Sequence, residues 1–122
     1  MTLQELYTLI GGNYDQAVKI MRRDRLIDRY IRKLSSSEVG TALAAAGASM
    51  DPVGLFESAH AMKGVCANLG LDTLSEAASD IAEEFRPGAA RRYTDDEVKA
   101  KLADIAERYT RTIDGIHQYE NG

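Results

Sequence analysis

The chain has 122 residues, the length of one ordinary domain, with 44% hydrophobic residues, 28% charged residues and a net charge of −4. That composition belongs to a folded globular protein and excludes a disordered tail. The acidic balance argues against a nucleic-acid binder, which needs a basic footprint. One cysteine and two histidines exclude an internal disulfide and supply too few ligands for a zinc site, so no metal and no cofactor are expected. No apolar run approaches the roughly 20 residues of a membrane span, and the N-terminus lacks a signal peptide's basic-then-apolar layout. A cytoplasmic protein, without membrane or nucleic-acid partner, is expected.

Helix punctuation recurs along the chain. Thr2-x-x-Glu5 and Asn13-x-x-Gln16 fit the capping-box pattern and open short helices over residues 3–21, closed between them by Gly11. Leu26, Ile27, Tyr30, Ile31 and Leu34 form an apolar stripe in a helix from about Asp24. Ser35-x-x-Glu38 is the next start signal, before an alanine-rich helix with Val39, Leu43 and Ala46, which Gly47 is expected to end. Asp51-Pro52 starts a further helix, since proline at the first helical position loses no needed hydrogen bond. Its seam is Leu55, Ala59, Met62, Cys66 and Leu69, and Gly70 closes it. Thr73-x-x-Glu76 opens a helix with Leu74, Ala77, Ala78, Ile81 and Phe85, broken by Pro87-Gly88 after Arg86. Thr94-x-x-Glu97 opens a long last helix carrying Val98, Leu102, Ile105, Tyr109, Ile113 and Ile116.

No segment alternates like a strand. The pattern predicts a single all-α domain over residues 1–122, an antiparallel four-helix bundle whose core spans about 24–119. Its walls are the three best seams and the helix from Asp24, with the short N-terminal helices covering one end. The bundle leaves no large apolar stripe exposed, so a monomer is expected. The cations from Arg22 to Lys33 and the acids Asp72, Glu76, Asp80, Glu83 and Glu84 read as solvated helix faces.

The helix from Asp51 to Gly70 carries the chemistry. At about 100° per residue, His60 projects away from the Leu55–Leu69 seam and shares its face with Val53, Phe56, Lys63, Gly64 and Ala67. A neutral imidazole with a pKa near ~6.5 is a competent nucleophile at neutral pH. Lys63 lies one turn on, where its mobile charge can offset a phosphoryl group. Gly64 costs the helix roughly 1 kcal/mol relative to alanine and leaves bare backbone beside the imidazole. Cys66 lies on the core seam as a small hydrophobe, and His117 has no comparable neighbours.

His60-x-x-Lys63-Gly64 followed by Gly70, between Phe56/Ala59 and Leu74/Ile81, resembles the histidine-containing phosphotransfer (HPt) domains of bacterial two-component phosphorelays. The resemblance spans about Leu26 to Phe85. It implies that His60 is the phosphoacceptor, that Lys63 steadies the phosphoryl group, and that Gly64 admits a receiver domain. Val53, Phe56, Ala67, Ser79 and Ala82 would complete the docking face. Some relatives place a glutamine facing the histidine where this chain has Ala82, and Ser79, one turn earlier, is the available substitute.

The expected function is that of a phosphoryl carrier, not an enzyme, between a hybrid sensor histidine kinase and a response-regulator receiver domain, with Mg²⁺ bound only by the receiver. Two alternatives stand beside it. One is an HPt-like module that binds receivers without being phosphorylated. The other is the phosphoacceptor domain of a chemotaxis-type kinase, against which the start and end signals and the absence of a trailing linker count. No phosphate-binding loop or nucleophile–base pair supports self-phosphorylation from a nucleotide.

Overall fold

In the computed structural model, which describes all 122 residues, the chain forms seven helices and no strand. They are α1 (Leu3–Ile10), α2 (Tyr14–Met21), α3 (Asp24–Leu34), α4 (Val39–Ser49), α5 (Pro52–Asn68), α6 (Asp72–Glu84) and α7 (Asp95–Asn121). No helix is long and apolar enough to cross a membrane.

The caps at Thr2 and Thr94 form complete capping boxes. Asn13 makes only half of one. Its side chain accepts from the Gln16 N–H at 3.0 Å, but its own N–H donates to the Gly70 carbonyl at 2.8 Å and has nothing left for Gln16. Pro52 occupies the first turn of α5 as expected.

Two expected caps are absent. Ser35 has helical backbone, φ −65° and ψ −23°, and its hydroxyl donates back to Arg32, so it closes α3 instead of opening α4. An N-cap needs extended backbone, and Ser37, whose oxygen accepts from the Val39 N–H, stands nearer that role. Thr73 lies inside α6, because the buried Leu71 leads the chain directly from the Gly70 turn into the helix at Asp72.

Gly47 does not end α4 either. The helix runs on to Ser49, and Met50 takes the left-handed conformation at φ 50°. Gly40 and Gly47 serve packing: a β-carbon would come within 2.5 Å of the Tyr109 ring at Gly40, and within 2.9 Å of Leu102 at Gly47. Both partners are on α7, so the small residues of α4 let the two helices approach closely. This makes α4, not α3, the fourth wall. α4, α5, α6 and α7 pack in a closed ring, whereas α3 lies against α2 and α7. α1 packs on the C-terminal part of α7, with Ile10 against Gly115, and Tyr7 donates to the Leu69 carbonyl at 2.7 Å. It therefore covers the end of the bundle where α5 turns into α6.

The acids of α6 are not all solvated. The Glu84 side chain is fully buried and accepts from Arg91, Arg92 and the Tyr93 N–H. Asp80 takes Tyr93, Arg92 and Lys101. Together they fasten the loop between α6 and α7, which has few apolar residues of its own. Burial pushes the Glu84 carboxyl up, but the hydrogen bonds from Arg91, Tyr93 and Arg92 outweigh it and hold the group down at about 2.

A carboxyl held below its ordinary value of 4.5 stabilises the fold fully above that pH, and the contribution is lost as pH falls through about 2. Glu84→Gln should therefore cost about 1–3 kcal/mol at neutral pH. In denaturant titrations at stepwise lower pH, the gap between variant and parent should close from about pH 4.5 downward. A gap independent of pH would place the stabilisation elsewhere.

Candidate functional site

The rotation of α5 is set by its seam. Leu55, Ala59, Met62, Cys66 and Leu69 are each at most 1% exposed, so the opposite side of the helix faces outward. Burial in this apolar seam pushes the Cys66 thiol up to about 12, which makes it a buried hydrophobe and not a nucleophile.

His60 is exposed near the middle of α5. Its ring stacks on Phe56 one turn earlier, with centroids 5.6 Å apart and planes 20° from parallel. Phe56 is half-buried and packs on the core behind it, so it joins the core and the site at once. Val53, at the same face, is 64% exposed.

Lys63 is half-buried and enters none of the fold's ion pairs. Its backbone is held from α6, where the Ser75 hydroxyl donates to the Lys63 carbonyl at 3.1 Å. That bond marks the antiparallel register of α5 and α6. It places Ser79 opposite residues 59–60 and Ala82 opposite Phe56. Ser75 was not expected as a site residue; only a helix-facing hydroxyl pointed to it, and its partner lies twelve residues away on another helix.

Gly64 is exposed, and a β-carbon there would meet nothing within 4 Å. Ala67 and Ser79 are half-buried beside this face. Ala82 is not on it. It is 3% exposed and belongs to the core. The docking role expected for it is therefore corrected to a packing role. His117 is exposed near the end of α7 and is not part of the site. Elsewhere, no group of three His, Cys, Asp or Glu side chains could hold a metal ion.

Residues 31–112 match the model of the family described as Hpt domain. The chain belongs to the Hpt domain family. No curated protein and no solved structure matches it. Hpt domains are phosphocarriers of two-component signalling that work with receiver domains and kinases, and the helical bundle described above is theirs. The matched stretch begins at Ile31 and ends at Thr112, so it holds the whole of α4, α5 and α6 and leaves out α1, α2 and most of α3.

The open space over Gly64 makes a measurable statement about this Hpt domain. Glutamine there relieves the helix of glycine's flexibility and its β-carbon meets no neighbour, so Gly64→Gln should raise stability by about 0.5–1 kcal/mol. A thermal melt should show the midpoint unchanged or a few degrees higher. A marked fall would mean that Gly64 is needed for packing.

Proposed function

We propose that His60 accepts a phosphoryl group and exchanges it with the aspartate of a response-regulator receiver domain. The observation that carries this reading is the open approach to His60: an exposed imidazole on a helix face whose next turn, at Gly64, is bare backbone. A lone pair on a ring nitrogen attacks phosphorus in the aspartyl phosphate. The P–N bond forms, the P–O bond breaks, and the electron pair returns to the receiver's carboxylate. The reverse step runs through the same geometry, so the protein passes phosphate either way between a hybrid sensor kinase and a regulator.

The chain's own residues position and neutralise. Phe56 limits the swing of the imidazole by stacking on it. Lys63, free of ion pairs, supplies the charge that offsets the transferred group. Gly64, Ala67 and Val53 leave room for the receiver, and Ser79 borders the same face. In this reading the chain needs no cofactor of its own, and Mg²⁺ serves the receiver's aspartate.

Mixing the protein with a phosphorylated receiver should yield acid-labile, base-stable phosphate on the parent and none on His60→Gln, which should still bind the receiver. Lys63→Ala should fold normally and transfer about tenfold more slowly, a loss of about 1.4 kcal/mol in the transition state. Gly64→Gln should lose both binding and transfer while keeping its stability. Parent-like binding and transfer in Gly64→Gln would show that the partner approaches from another side.

A further inference from the structure

Apolar contact holds α5 in the bundle almost unaided. None of its 17 residues enters an ion pair, and a single side-chain hydrogen bond reaches it from the rest of the molecule. That bond runs from the half-buried Ser75 hydroxyl of α6 to the Lys63 carbonyl, at 3.1 Å. The only polar side-chain tie on the histidine-bearing helix therefore falls on the peptide unit that joins Lys63 to Gly64.

The bond departs from what a hydroxyl inside a helix does by default. Serine and threonine there commonly bond to a carbonyl of the preceding turn of their own helix. Thr8 donates to the Gln4 carbonyl, Ser49 to Ala45 and Thr112 to Arg108 in this way. Ser75 instead leaves its own helix and reaches back twelve residues to α5. It is not needed to dock the two helices, which already share the core through Ala59, Cys66, Leu74, Ala78 and Ile81.

Its target is a weak turn. Gly64 is exposed with nothing packed over it, and glycine is the poorest helix former after proline. The peptide unit before it has two polar ends. Its carbonyl, that of Lys63, accepts from Ser75. Its N–H, that of Gly64, donates four residues back to the His60 carbonyl in the α-helical pattern. A line of hydrogen bonds thus runs from Ser75 through the Lys63–Gly64 peptide to the backbone of His60, and in such a line each bond polarises the next. It joins the two residues whose spacing phosphotransfer needs.

We infer that Ser75 is a positioning residue for phosphotransfer. From α6 it clamps the Lys63–Gly64 peptide, so that the glycine turn left open to a partner does not let His60 and Lys63 drift apart. The inference rests on the phosphotransfer reading above and adds the residue that restores the stiffness Gly64 gives up. Bare backbone admits a partner and loosens the helix at once. A brace supplied from the half-buried α5–α6 interface offsets the second effect without closing the approach.

The test compares Ser75→Ala with Ser75→Thr, which keeps a hydroxyl. Phosphoramidate, which needs no docking, first labels the parent; an unlabelled parent, or equal label on His60→Gln, would sink the phosphotransfer reading itself. With the parent labelled, transfer is followed in single turnovers to a saturating receiver domain. Ser75→Ala should transfer about fivefold more slowly, the order of one net hydrogen bond, at unchanged receiver affinity. Ser75→Thr should recover most of the rate. Added to Lys63→Ala, Ser75→Ala should cost less than about twofold more, because the spacing it holds has lost one member. Amide hydrogen exchange should quicken at Gly64 in Ser75→Ala and stay as in the parent at Ala59. Thermal melts establish that each variant is folded. Parent-like transfer by Ser75→Ala would overturn the inference, as would Ser75→Thr as slow as Ser75→Ala. The full loss repeated on Lys63→Ala, with parent-like exchange at Gly64, would leave Ser75 a packing residue and overturn it too.

Discussion

Leu55, Ala59, Met62, Cys66 and Leu69 are buried almost completely along one side of α5, and their burial fixes the rotation of that helix about its own axis. The larger of these side chains each contribute about 1.5–3 kcal/mol on leaving water. Turning α5 by one residue, about 100°, would draw several of them into solvent and carry charged or polar groups inward. His60 is held outward by residues it does not touch. No hydrogen bond ties the imidazole to the protein, and its aim follows from the seam and from the Phe56 ring beneath it.

Gly64 within α5 and Gly70 in the turn after it show how the same residue type answers opposite constraints. At Gly70 there is no room: φ is +69°, and a β-carbon would come within 2.3 Å of the Asn13 carbonyl. The turn from α5 to α6 is thereby locked to the start of α2. At Gly64 there is nothing but room, and no contact within the molecule calls for glycine. A residue that costs its helix stability without a packing return points to something outside the chain.

Electrostatics divides the surface in a way the net charge conceals. The acids of α6 do two jobs. Glu84 and Asp80 turn inward to fasten the loop before α7, while Glu83 pairs with Arg86 and Asp72 accepts from the Asn13 side chain. The cations of α2 and α3 are spent on few partners.

Periodicity determined most of the fold by itself. Seven helices follow from apolar spacing and caps, and every residue of the α5 seam was legible because a helix that must bury one face repeats its apolar residues at fixed intervals. His60, Lys63 and Gly64 were legible for the same reason: positions on one helix have known angles, so a polar pair opposite the seam is visible in the sequence. What tertiary structure alone decided involves two helices at once. The fourth wall is α4, because Gly40 and Gly47 admit Tyr109 and Leu102 of α7, a match between residues more than fifty positions apart. Ala82 and Glu84 went inward and Ser75 reached Lys63 because the α5–α6 register and the α6–α7 loop set what each side chain meets. Local spacing states which face of a helix is apolar; only packing states which neighbour covers it, and how much of the polar face it covers as well.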